Sequence, residues 1–258
     1  MIRRKKQMGK RFGAFLLVAF LAGVSPPATA QGVLPSKPGV ARLVGLLEKG
    51  NASYGKLRDY RALFVKREKS GVGMGEEEKI FLKFEKPFKI FMKWMNTQKK
   101  GLQVLYERGR HRGKLLIHKP GILSHVAPVI SLDQSSPWVR QGSASYHIED
   151  AGIGAFLKDF TGAVLDARRK GCLKVKWTKK NVSDVTFLKT NKDSIYFAYR
   201  VRVGFDEITG LPIHMRLFDW NNRLMGIYEY RELKLNAGSD KEFEKEIDRH
   251  LLKIYSSP

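Results

Sequence analysis

From Asp59 onward the apolar residues recur at every second position, and that alternation fixes most of what the chain can fold into. Successive side chains of a β-strand point to opposite faces, so such runs build a sheet with one apolar and one charged face. In the first half, residues 60–69, 78–86, 88–95, 102–108 and 114–118 read as strands. Within them Ile80, Leu82 and Phe84 share a face against Lys83 and Glu85, and Ile90, Met92 and Trp94 stand against Lys93. Residues 172–179, 182–190, 195–205, 211–220 and 223–235 repeat the pattern, most cleanly where Phe197, Tyr199, Val201 and Val203 alternate with Arg200 and Arg202. Turn chemistry separates the runs: the Gly-rich 71–75 stretch, Pro87, residues 109–113, Glu207-Ile208-Thr209-Gly210 and the Asn221-Asn222 pair.

Three segments switch to helical spacing. Residues 40–57 place Val40, Leu43, Val44, Leu46 and Leu47 on one face, and 151–169 do the same with Ile153, Phe156, Leu157, Phe160, Val164 and Leu165. Residues 239–254 open on a capping box, Ser239 with Glu242. Residues 119–142 are rich in Pro and Ser, the composition of a lid or binding loop. A meander of about 9–11 antiparallel strands must curl, since a flat sheet of that size is unfavourable. The expected fold class is α+β: a curved antiparallel half-barrel with helices covering its concave face.

The N-terminus sets the expected compartment. Arg3, Arg4, Lys5, Lys6, Lys10 and Arg11 precede an apolar stretch over 12–24 that is too short for a stable membrane anchor. Ser25-Pro26-Pro27 ends it, and Ala28-Thr29-Ala30 is the small-x-small pattern cut by signal peptidases. We therefore expect residues 1–30 to be a cleaved signal peptide, with the cut between Ala30 and Gln31, residues 31–39 a linker, and 40–258 a single periplasmic domain. The segment holds six of the 48 Lys and Arg and none of the 25 Asp and Glu, so the remainder carries +17. That charge calls for an anionic partner such as phospholipid head groups, lipopolysaccharide or an acidic polymer, while a solvated basic strand face fits it equally. Nucleic acid is a poor partner outside the cytoplasm. Cys172 is the only cysteine, which excludes an internal disulfide and reads as a small buried apolar residue.

Catalytic motifs are missing. The 71–75 glycines are not GxGxxG and do not open a helix, and Gly142-Ser143-Ala144-Ser145-Tyr146 lacks the second glycine of a nucleophile elbow. His111, His118, His125, His147, His214 and His250 form no HExxH or other metal spacing. Asp133, Glu149 and Asp150 flank the loop segment as a potential carboxylate pair, although helix capping explains Asp150 as well. The sequence is read as non-enzymatic, with no metal and no cofactor.

The stretches DYRALFVKRE (59–68), FLKFEKPFKIFMKW (81–94) and TGLPIHMRLFDWNNRLMGIYEYRELKLN (209–236) resemble the superfamily of periplasmic LolA-type lipoprotein carriers, closest to a related branch known only as a domain of unknown function. The resemblance spans roughly residues 40–236. It implies a half-barrel with a helical lid around an apolar pocket for acyl chains, as in carriers that move acylated lipoproteins between membranes. It also implies that Lys86, before Pro87, contacts the lid, where the family usually has an Arg.

A half-closed sheet larger than its own side chains can fill holds an apolar ligand. Candidate lining residues are Phe64, Ile80, Leu82, Phe84, Ile90, Met92, Trp94, Val175, Trp177, Phe197, Tyr199, Met215 and Leu217. Periodicity does not separate cavity lining from ordinary core beneath the helices. The resulting expectation is a monomeric periplasmic carrier for a lipid or acylated lipoprotein, making transient contact with inner or outer membrane components. The alternative is a basic cell-envelope protein that binds an anionic polymer or membrane surface without an internal ligand.

Overall fold

The structure, a computed structural model, describes residues 37–71, 73–121, 127–136, 148–188, 196–238 and 241–256. The expected signal peptide and most of the expected linker lie outside the described residues. Helix α1 (Pro38–Lys56) starts inside that linker, because Pro38 in its first turn has a φ already set for helix and needs no N–H partner there.

Twelve strands follow: β1 (Asp59–Ser70), β2 (Gly73–Met74), β3 (Glu78–Glu85), β4 (Lys89–Trp94), β5 (Gln103–Glu107), β6 (Leu115–His118), β7 (Ile130–Leu132), β8 (Leu173–Lys179), β9 (Val182–Phe187), β10 (Arg200–Phe205), β11 (Pro212–Phe218) and β12 (Leu224–Leu235). Helix α2 (Ile153–Arg169) connects β7 to β8, and two short helices, α3 (Lys241–Glu246) and α4 (Arg249–Tyr255), end the chain. All strands join one open antiparallel sheet in the order β7-β6-β5-β4-β3-β1-β12-β11-β10-β9-β8, with β2 added at the end of β1. Two meanders thus meet at a single seam, β1 against β12. Register shifts on β8, β10, β11 and β12 mark bulges, which bend a strand and increase its twist. The expected α+β curved sheet is what forms; the added strands are the two-residue β2 and β7, which lies in the stretch read as a loop. There Ile130 and Leu132 pair with Ile117 and Leu115.

Helices α1 and α2 cover one face. Val40, Leu43, Val44 and Leu47 of α1 and Ile153, Leu157, Phe160, Ala163, Val164 and Ala167 of α2 are buried in one core with the sheet. Gly50 makes the fit of α1 possible: a Cβ there would lie 2.5 Å from the Gly210 carbonyl oxygen. Cys172 is buried in this core, its Sγ 3.4 Å from the Tyr196 hydroxyl.

The expected single C-terminal helix is instead two, broken at Ile247–Asp248, and they lie on the opposite face. Asp248 accepts a bond from the His250 N–H at 2.8 Å and so starts α4 anew. Phe243, Ile247, Leu251 and Tyr255 bury Phe91, Leu105 and Leu116 in a second core. Lys83, on the strand face opposite Ile80, Leu82 and Phe84, is 1% exposed there. Its ammonium donates to the Gly238 carbonyl, lies 3.4 Å from Glu85 and sits 4.5 Å from the Phe243 ring centre. Lys93 pairs with Glu246 at 2.8 Å, and the Tyr255 hydroxyl donates to Glu85.

Phe243→Ala empties the centre of this second core and should cost about 3–4 kcal/mol of unfolding free energy. Urea denaturation checks this; an unchanged midpoint would show that α3 and α4 contribute nothing to global stability.

Candidate functional site

The covered face is apolar from edge to edge because the strand registers align its rows. Phe84 faces Tyr60 and Ile90, which faces Tyr106; Leu82 faces Ala62 and Met92; Ile80 faces Phe64 and Trp94. Beyond the seam Phe64 faces Tyr230, Met215 faces Tyr228 and Val203, and Leu217 faces Val201.

The helices are fastened at one end of this face. Gly152 precedes α2 and has no side chain to cap it, so the orphan N–H of Ile153 donates instead to the Tyr60 hydroxyl at 3.1 Å. Tyr60 is fully buried, stacked on Phe84 at 5.2 Å, and burial holds its phenol well above the usual pKa. The Lys86 ammonium donates to the carbonyls of Tyr54 and Gly55 at 2.5 and 2.9 Å, satisfying the last turn of α1. It also lies 4.7 Å from the Tyr54 ring centre. Lys86 therefore holds the C-terminus of the covering helix with one ammonium on two carbonyls.

The candidate lining residues sort into three groups. Ile80, Leu82, Phe84, Ile90 and Met215 are buried core. Phe64, Met92, Trp94, Val175, Trp177, Phe197 and Leu217 are half-buried against that core. Of these, Trp177 donates to the Gly39 carbonyl at 3.0 Å under the Arg42 guanidinium, and Phe197 meets Phe156 edge-on at 6.0 Å. Tyr199 belongs to neither group; its ring lies 5.7 Å from that of Trp220. Phe64, Met92, Trp94 and Leu217, with Ile117 and Tyr228, form a half-buried apolar strip on this face, the trough.

The trough ends in a polar cluster that periodicity alone did not reveal. Lys66 lies 3.0 Å from Glu68 and 3.7 Å from Glu78. Glu78 also accepts from Lys99 and from the Trp94 indole, each at 2.7 Å, and the Tyr228 hydroxyl donates to Glu68 at 2.9 Å. Burial opposes ionisation of Glu78, but Lys66, Lys99 and the Trp94 bond outweigh it and hold its carboxyl below the usual range. The carboxylates read as a potential pair are engaged separately: Glu149 accepts from Tyr106 and lies 3.3 Å from Arg108, while Asp133 lies 3.7 Å from Lys114. Among the described residues no group of three or more His, Cys, Asp or Glu is placed to hold a metal ion. His125 and His147 lie outside the described residues.

These features define the class: a helix-covered, open antiparallel sheet with an apolar trough. The sequence model of the family described as "Protein of unknown function (DUF1571)" matches residues 57–248, and the chain belongs to that family. No curated protein matches the sequence. Among solved structures the chain is similar to a DUF1329 family protein from Desulfovibrio piger (10% identity, 84% of this chain and 100% of that one, TM-score 0.40). It is also similar to a LolA superfamily protein from Nitrosomonas europaea (13%, 77% and 96%, TM-score 0.36). A third is the lipoprotein LppX of Mycobacterium tuberculosis (7%, 78% and 98%, TM-score 0.38).

Two outcomes follow from this geometry. Lys86→Met should lower stability by about 1–2 kcal/mol and speed amide exchange in the last turn of α1, whereas Lys86→Arg keeps donors to both carbonyls and should stay near wild type. Glu78, with its folded pKa depressed, stabilises the fold above its unfolded value, roughly pH 4.3. That contribution disappears as pH falls through the lower folded value, so Glu78→Gln should flatten the acid limb of stability against pH. A mutant curve parallel to wild type would show that Glu78 titrates alike in both states.

Proposed function

We propose that the protein is an exported carrier that holds the acyl chains of a lipid or an acylated lipoprotein in the trough, without catalysis. The observation that carries this reading is the half-buried row of Phe64, Met92, Trp94, Leu217 and Tyr228 beside a fully buried core. A contiguous apolar strip of this kind on a monomeric chain marks a place where another apolar group binds. The ion-paired Lys66, Glu68, Glu78 and Lys99 at its end suit the boundary between an acyl chain and its polar head. The N-terminal pattern of residues 1–30 supports export, and a periplasmic carrier would meet its donor and acceptor at membrane surfaces.

Native mass spectrometry with lipid extraction, on protein secreted with its own N-terminal segment, tests the reading. A co-purifying acyl-chain ligand is expected. Met92→Glu and Leu217→Glu set a charge on the half-buried strip and should abolish retention while circular dichroism stays native. Phe84→Glu belongs to the core and would unfold the chain instead, so it is not informative. A wild-type protein that is empty and ignores fluorescent fatty acids would overturn the proposal.

A further inference from the structure

On the opposite face of the second meander, Thr178, Lys179, Val182, Arg202, His214 and Arg216 line a depression. Gly204 lies between two of these residues, Val182 and His214, in the registers, and a Cβ there would lie 3.3 Å from the His214 Cβ. Arg202 and Arg216 are directly opposite each other on β10 and β11. Like charges so placed repel, and a sheet keeps them only with a counter-charge. Asp184 supplies one for Arg202, with bonds at 2.8 and 3.0 Å, and is shared with Arg200 at 3.0 Å. Glu229 is taken by His214 at 3.2 Å and by Arg231. Nothing is left for Arg216: among the described residues it has no ion pair, and its buried Nε has no hydrogen-bond partner. A bulge between Trp177 and Lys179 brings the Lys179 backbone opposite Val182, at the edge of the depression. Burial lowers the His214 pKa; Glu229 opposes this, and Arg216 and Arg231 add to it.

We propose that this depression binds a phosphate group, seated between the Arg216 guanidinium and Lys179 with Arg202 alongside. Arg202 on β10, Arg216 on β11 and Lys179 on β8 all line the depression, and such a set of donors suits a tetrahedral anion with several acceptor oxygens better than a planar carboxylate. The bound anion supplies the counter-charge that Arg216 lacks among the described residues and screens the Arg202–Arg216 repulsion. Its source is the head group of an anionic phospholipid or a soluble phosphate ester. The site stands apart from the trough, on the other face of the sheet, and does not depend on the carrier reading.

The test is NMR of the folded, secreted protein with 15N-labelled arginine. On titration with inorganic phosphate, the Nε–Hε resonance of Arg216 should shift saturably, and Arg216→Gln should weaken binding about tenfold or more. Arg216→Lys, which keeps the charge and loses the fork, should fall between, and Lys179→Gln should weaken binding several-fold. No saturable shift, or equal affinity in Arg216→Gln, overturns the proposal. Sedimentation with vesicles of phosphatidylglycerol against phosphatidylcholine then names the source: Arg216-dependent binding to the anionic vesicles assigns the lipid head group, and phosphate binding without vesicle binding assigns the soluble ester. Acyl-ligand retention in Arg216→Gln should equal wild type, which separates failure of this site from failure of the trough.

Discussion

The pairing of β1 with β12 holds everything else in place. Without it, β3 to β7 and β8 to β11 are two small meanders, each too narrow to present a continuous apolar face. The partners are far apart in sequence, yet loop closure grows only slowly with length, so twelve-residue strands offset it readily. The seam is locked where it ends. The Arg58 N–H donates to the Asn236 side chain, the Asn236 N–H to the Asp59 carbonyl, and the Gly238 N–H to the Asp59 carboxylate, at 2.8, 2.8 and 2.9 Å. Asn236 and Gly238 both have positive φ, near 52° and 65°, and they turn the chain out of β12 toward the face that α3 and α4 cover. The seam therefore creates the trough face and also delivers the C-terminus to the other side.

That second cover explains why strand residues with lysine character are not all solvated. Lys83, Lys89 and Lys93 alternate with apolar neighbours as on any wet strand face, yet each is used to hold the C-terminal helices. Lys83 meets the Gly238 carbonyl, Lys89 the Tyr255 carbonyl and Lys93 the Glu246 carboxylate. A lysine has a long apolar stem, so it lies along a buried face while its ammonium reaches a partner. The basic composition is thus partly structural.

The sheet was legible in the sequence because side-chain alternation is local: the strands around Ile80–Phe84, Ile90–Trp94 and Val201–Val203 follow from the residues themselves. The face that the C-terminal helices cover was not legible, since amphipathic spacing tells which side of a helix is buried but not which face of the sheet buries it. The C-terminal helices show this, being equally amphipathic wherever they dock. The candidate site was half legible. Period two placed Phe64, Met92 and Leu217 on the same face as Phe84 and Ile90, but which of them the helices cover depends on Tyr60 and Lys86, whose partners lie far along the chain. Arg202 and Arg216 were visible as basic residues; their juxtaposition is a matter of register, set by the Glu207–Gly210 turn and the bulge beside it.

Several anchors of the cover lie at one end of the sheet, while the Tyr196 hydroxyl, which donates to Asp166 of α2 at 2.8 Å, lies at the other. Helix α1 runs past the β8–β9 turn, where Arg42 donates to the Lys180 carbonyl, and the β10–β11 turn, where Lys49 donates to the Glu207 carbonyl at 2.9 Å. It ends over the β3–β4 turn at Lys86. The Tyr60 bond to α2 belongs to this same end, at the start of β1. The half-buried residues Phe64, Trp94 and Tyr228 lie toward the other end of their strands, where polar contacts join side chains of the sheet to one another. In the proposed carrier, an apolar chain entering there would leave the Lys49, Lys86 and Tyr60 bonds in place. On the carrier reading, the Lys86 and Tyr60 bonds that fasten the helices are set apart from the surface proposed to receive a ligand.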